Sequence, residues 1–250
     1  MKLLNAFLLS TALFSTALLG NAIAEAPVNT RMQVEEIIKD YIMKNPQVII
    51  DSLNKMQDQQ MADQVKKAAE GVKTHQKELF EDATSPVVGN PKADVTIVEF
   101  FDYHCGYCKH SLPVVAQILK DDPNVKFIFK ELPILSPDSE LASRAALAVS
   151  RINKDKYFDF HSALMKSTGT FSDKSIADIA TKLGIDAAKL KTEMEKPEIK
   201  QVLEANQKLA TAIGVSGTPA FVLGNEMIPG AIDVAGLKGK INKLRAQKPK

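Results

Sequence analysis

Tryptophan is absent from the 250 residues, and aromatic residues make up only 6% of them. That gives little support to a surface that works by stacking sugars or bases. Charge of one sign is missing too: 32 Lys and Arg against 30 Asp and Glu leave a net charge of +2. With no dense basic patch either, the electrostatic case for nucleic acid fails. Cysteine is scarce, with two in the whole chain, so neither a disulfide framework nor a paired zinc knuckle can be built. Beyond the first two dozen residues no apolar run approaches the length of a membrane span. There is no internal repeat and no low-complexity tract.

What is present begins with an export pattern. Lys2 supplies a positive start, Leu3 to Gly20 an apolar stretch broken only by small polar residues, and Ala22-Ile23-Ala24 a small-x-small cleavage site. Residues 1–24 are therefore expected to be a signal peptide removed after Ala24. No cysteine follows that site, so a lipoprotein signal is not expected.

Residues 25–83 read as helix without a core of its own. Val34, Ile37, Ile38, Tyr41 and Ile42 fall on one helical face. Asn45-Pro46 ends that helix and opens the next, with Asn45 as N-cap and Pro46 in the first helical position. Val48, Ile49, Leu53 and Met56 continue an apolar face. So few residues cannot bury such stripes against each other. The economical solution is a second copy, so residues 25–80 are expected to form a homo-oligomer, dimer or trimer. The stretch Asp58 to Lys77 is expected to be an exposed connecting helix, with Gly71 as its weak point at about 1 kcal/mol relative to Ala.

Thr84-Ser85-Pro86 and Gly89-Asn90-Pro91 mark a boundary, after which residues 84–250 form the main domain. Val95 to Phe101 has the β-branched and aromatic character of a central strand, and Asn124 to Lys130 is a second strand. With the helical pattern between them they make a βαβ unit. Residues 136–214 read as helical throughout, with caps at Ser136, Ser172 and Asp186. His161 lies in an apolar stripe there and reads as a core histidine. A closing hairpin follows, Ala220 to Leu223 and Met227 to Pro229, with Gly224-Asn225 as its turn, and then a last helix.

The two cysteines, Cys105 and Cys108, stand where the first strand hands over to a helix. In an oxidising compartment a lone pair would ordinarily be a structural bridge. A bridge between residues three apart closes so small a loop that it stabilises little. A disulfide there is useful if it is made and broken. His104 and His110 flank the pair, but adjacent His104 and Cys105 make a four-ligand metal site awkward. Covalent haem needs His after the second Cys, where Lys109 stands. No metal and no cofactor is assigned.

Cys105 at the helix N-terminus would meet unpaired amides and the dipole, which favour a thiolate and hence attack on a disulfide. Cys108, one turn further, would be the buried resolving thiol. Glu99 on the strand and Lys130 on its neighbour could pair beneath the disulfide and relay protons, or could be a structural ion pair. A cis Thr218-Pro219 bond would leave backbone groups of Thr218 free for an extended substrate. His104, Gly106 and Tyr107 join Thr218 and Pro219 as expected substrate-binding residues.

At these residues the chain resembles the thioredoxin superfamily, and within it the DsbA-like and ScsC-like (Com1-type) exported thiol–disulfide oxidoreductases. Glu99 stands six positions before Cys105, as the buried acid of that family does, and Lys130 matches the lysine of its next strand. The helical stretch 136–214 is similar to the DsbA-type insertion. The resemblance implies an α/β thioredoxin fold with a helical insertion, preceded by an α-helical oligomerisation segment. The Gly106-Tyr107 dipeptide and the loop Gly214 to Ala220 look like those of the isomerase DsbC. Such features imply a periplasmic disulfide isomerase or reductase acting on unfolded or misoxidised secreted proteins, with association with the outer membrane left open. A DsbD-like or DsbB-like membrane protein would be its redox partner. The alternatives are a DsbA-like dithiol oxidase and a copper-sequestering or chaperone-like binding protein.

Overall fold

A computed structural model of the protein describes residues 29–247. The expected signal peptide lies outside them. The chain divides into two compact units between Gln57 and Asp58.

The first unit holds α1 (Asn29–Lys44) and the opening turns of α2 (Gln47–Thr74). Asn45 works on the helix before it: its Nδ2 donates to the Tyr41 carbonyl at 2.9 Å, closing α1. Pro46 precedes α2 by one residue, and the Ile49 amide donates to its carbonyl. The apolar stripe expected here exists, and its side chains are largely exposed. Ile37 is 67% exposed, and Ile38, Tyr41, Ile49, Leu53 and Met56 are exposed as well.

In the second unit the end of α2 departs from the expected exposed connector. Ala68 and Val72 are buried, as is Leu79 of α3 (Gln76–Phe80). They recur at four- and seven-residue spacing, so one helical face closes over a sheet rather than over a partner helix. Residues 68–80 thus belong to the core of the second unit, ahead of the boundary expected at residue 83. Gly71 has a reason to be glycine: a Cβ there would lie 2.9 Å from the Ile213 Cα. Helix propensity alone would make Gly71→Ala stabilising by about 1 kcal/mol. The close approach reverses the sign, and a net loss of about 1–3 kcal/mol is expected from urea denaturation.

The sheet runs β1-β3-β2-β4-β5. Its strands are β1 (Val87–Gly89), β2 (Val95–Phe101), β3 (Val125–Glu131), β4 (Ala220–Leu223) and β5 (Glu226–Pro229). β2 pairs parallel with β3 through the crossover helix α4 (Gly106–Asp121) and antiparallel with β4. The two faces carry different cores. Ile97, Phe101, Phe127, Phe129 and Phe221 pack against α4 and the helical insertion. Val98, Phe100, Ile128 and Val222 pack against Val72, Leu79 and Ile213.

The insertion comprises α5 (Pro137–Ile152), α6 (Tyr157–Lys166), α7 (Asp173–Lys182), α8 (Ala187–Met194) and α9 (Pro197–Ala212). Ser172 forms a capping box with Ser175, and Asp186 accepts the Ala188 and Lys189 amides. Ser136 makes no such cap bond and turns its hydroxyl to Asp138 instead. The last helix, α10, spans Val234–Ala246. No helix among the described residues is long and apolar enough to cross a membrane.

Candidate active site

β2 ends at Phe101, and Asp102 organises the turn that follows. Its Oδ1 accepts the His104 amide at 2.7 Å and the Ser139 hydroxyl at 2.8 Å. Its Oδ2 accepts the amides of Ile134 and Leu135. The Cys105 amide donates to the Asp102 carbonyl at 3.1 Å, which sets Cys105 at the N-cap of α4. There the Cys105 sulfur accepts the Cys108 amide at 3.2 Å. A side chain in this position receives an amide that the helix itself leaves unpaired.

Both cysteines are thiols. Cys105 is 5% exposed, whereas Cys108 is 1% exposed, one turn inside. Burial pushes the Cys108 thiol far above its ordinary range, with the Cys105 sulfur and the charge of Glu99 adding to it. Both sulfurs are buried, yet the pair is unequal: Cys105 caps the helix, and Cys108 is held protonated one turn inside. The Thr218-Pro219 bond is cis. The Thr218 carbonyl accepts the Cys105 thiol at 3.1 Å, so in the reduced protein that carbonyl is already engaged. Gly106 meets nothing where a Cβ would stand, and Tyr107 is 71% exposed beside it.

Glu99 lies on the sheet face of Phe129 and Phe221, its neighbours in register. Burial raises its carboxyl to about 8. Lys130 does not reach it. In register Lys130 pairs with Phe100, one residue out of step with Glu99, so its side chain leaves the opposite face. There its Nζ donates to Asp82, which also accepts the Thr84 and Ser85 hydroxyls. Burial would raise the Asp82 carboxyl, but these bonds prevail and hold it at about 2. The carboxylate–ammonium pair expected beneath the disulfide is thus absent, and Lys130 instead fastens residues 82–85 to the back of the sheet.

The residue after Lys130 occupies the Glu99 face. Glu131 is buried, and its Oε1 accepts the hydroxyls of Tyr103 at 3.0 Å and Tyr157 at 3.2 Å. Tyr103 gives its one proton to Glu131, so His161, 3.1 Å away, meets it as a donor from Nδ1. Burial raises Glu131 to about 8 and lowers His161 to about 3. His161 is thus the core histidine expected from its stripe. Glu131 and Tyr157 were not singled out in the sequence. The available signal was parity: in a pleated strand Glu131 shares the face of Phe127 and Phe129, which Lys130 does not.

Two buried acids raised from an ordinary 4.5 to about 8 have a direct consequence for stability. Between those values the folded protein binds protons that the unfolded chain has released, so stability falls as pH rises from about 4.5 to about 8. Glu99→Gln should remove its share of that loss. Measured in urea at pH 5 and pH 8, the variant should gain on the wild type by a few kcal/mol at the higher pH. An equal difference at both pH values would contradict the assignment.

Residues 96–242 match the family model of the DSBA-like thioredoxin domain, and residues 31–62 that of the copper resistance protein ScsC N-terminal domain. The thiol-disulfide exchange protein alpha-DsbA2 of Wolbachia pipientis is 35% identical. It aligns over 71% of this chain and 95% of its own, with a TM-score of 0.68. Salmonella enterica Typhimurium BcfH is 29% identical over 87% of this chain and 97% of its own, with a TM-score of 0.74. Disulfide bond formation protein D of Bacillus subtilis is 27% identical over 63% of this chain and 76% of its own. The chain also matches Na(+)/H(+) antiporter NhaA 1 of Salinispora arenicola at 24% identity over 62% of this chain, but it spans only 24% of that protein's length.

Proposed function

Because the chain belongs to the DSBA-like thioredoxin domain family, we propose that it is an exported thiol–disulfide oxidoreductase working as a disulfide isomerase or reductase on secreted proteins. The observation that carries this reading is the unequal cysteine pair: Cys105 capping α4 and Cys108 one turn further in, its thiol pushed up by burial. The Cys105 thiolate attacks a substrate disulfide, forming a mixed disulfide and releasing one substrate thiolate. In isomerisation that thiolate, or another on the substrate, displaces Cys105 and forms a new pairing. In reduction Cys108 attacks the Cys105 sulfur, the Cys105–Cys108 disulfide forms, and the second substrate thiolate leaves. Cys108 must give up its proton for that step. Glu99, raised to about 8 by burial and felt electrostatically by the Cys108 thiol, is the acceptor in this scheme. Tyr107 and the Thr218-Pro219 segment hold the substrate polypeptide against Cys105.

The uncovered stripe of the first unit supports a homo-oligomer in which several copies of the site serve one substrate. The Gly106-Tyr107 dipeptide supports the isomerase direction over dithiol oxidation. The state of the cysteines in their own compartment decides between the two, read by trapping free thiols at the moment of lysis. A mostly reduced pair is expected, kept so by a membrane reductase. A mostly oxidised pair would make the protein an oxidase. Copper(I) titration of the reduced protein covers the remaining alternative, since tight stoichiometric binding with negligible turnover would mean sequestration.

A further inference from the structure

Three residues flanking the cysteine pair are tied to the helical insertion. The Tyr103 hydroxyl meets His161 of α6. His104 Nε2 lies 2.8 Å from Oδ2 of Asp138, in the first turn of α5. On the far side of the pair, Lys109 Nζ donates to the carbonyl of Ser167, the C-cap of α6, at 2.7 Å. The segment that carries the two sulfurs is strapped on both sides to an element that supplies neither of them.

The His104–Asp138 contact is the most fully built of the three. Asp138 also accepts the Ser136 hydroxyl and the Phe171 amide, the latter at 2.6 Å. These bonds, the Ser136 hydroxyl foremost, hold its carboxyl well below the usual carboxylate range. The Phe171 ring packs on the imidazole with centroids 5.1 Å apart. An ionised carboxylate can only accept, so the hydrogen of the shared bond belongs to His104 Nε2. The imidazole cannot turn without breaking a charge-assisted bond. Its backbone amide is meanwhile fixed on Asp102, in the turn that delivers Cys105. Of the charged side chains bonded around this histidine, Asp102 holds its backbone and Asp138 its ring.

We propose that Asp138 is a positioning residue for thiol–disulfide exchange, acting through His104 to hold the turn before Cys105 in its reactive geometry against the helical insertion. The proposal rests on reading Cys105 as the attacking sulfur, and it assigns to the insertion a part in the reactivity of that sulfur.

The test is the rate at which iodoacetamide alkylates Cys105 in the reduced full-length protein at pH 7, with the site mapped by mass. Asp138→Ala and His104→Ala should each slow it about tenfold, the size of loss that follows a small misplacement of a reacting group. The double variant should be no slower than either single one, because both remove one device. Nitrogen NMR of His104 should show hydrogen fixed on Nε2 in the wild type and an unfixed tautomer in Asp138→Ala. Asp138→Asn keeps the size and an oxygen for the Phe171 amide, so it reads the charge without unpinning α5. A slowing of about threefold or more is expected for it. Alkylation within twofold of wild type in Asp138→Ala, or losses that multiply in the double variant, would overturn the proposal. Alkylation needs no protein substrate. A protein inert toward scrambled ribonuclease would therefore sink the functional reading and leave this test intact.

Discussion

Replacing Cys105 with Ser should abolish the recovery of active ribonuclease from its scrambled form, a loss of about 10³-fold or more to the uncatalysed background. A hydroxyl in that position is un-ionised at neutral pH and makes no covalent bond to sulfur, so every step of the exchange is lost. The helix start should survive, since serine is itself a good N-cap and can accept the Cys108 amide as the sulfur does. The loss is therefore chemical, and near-wild-type stability with no activity is the expected combination. Cys108→Ser should behave differently. It leaves the Cys105 sulfur in place and removes only the resolving step, so reduction fails while isomerisation, which needs Cys105 alone, persists in part. Equal and complete loss in both variants would mean that Cys108 does more than resolve.

The second large effect concerns assembly. Removing residues 25–57 should convert an oligomer to a monomer, read by light scattering. That monomer should still reduce a simple disulfide and should isomerise scrambled ribonuclease poorly. The structure moves the cut. A deletion through residue 80 would also remove Val72 and Leu79, which are fully buried against Val98, Phe100 and Ile213. Emptying each of those places costs about 2–5 kcal/mol, enough together to unfold a domain of ordinary stability. Cutting at Gln57 spares them. An oligomer that survives the shorter deletion would refute the assignment of the exposed stripe to assembly.

The fold was legible where the signals are local. A nearly continuous β-branched and aromatic run over Val95 to Phe101 placed the central strand. The N-terminal stripe was visible in the spacing of Val34, Ile37, Ile38 and Tyr41, and their exposure fits it. The cysteine pair declared itself by spacing and by its place at a strand–helix junction. Long-range contacts were not legible. Lys130 was read toward Glu99 because the two lie on neighbouring strands, yet its partner is Asp82, 48 residues earlier and beyond any local pattern. The choice between Lys130 and Glu131 was open to reasoning from the pleat, which puts only Glu131 on the Glu99 face. The gathering of Tyr103, Tyr157 and His161 around that acid joins three separated segments, and their spacing gives no hint of it. Burial of the helix end at Val72 was hidden for the same reason, since an apolar seam looks alike whether a partner helix or a sheet covers it.

The most direct test of Cys105 attack and Cys108 resolution is to trap the intermediate. Cys108→Ser, incubated with scrambled ribonuclease and quenched with acid, should yield a covalent adduct that reductant releases, and mass mapping should place its linkage on Cys105. No adduct under conditions in which the wild-type protein isomerises the same substrate would contradict the mechanism.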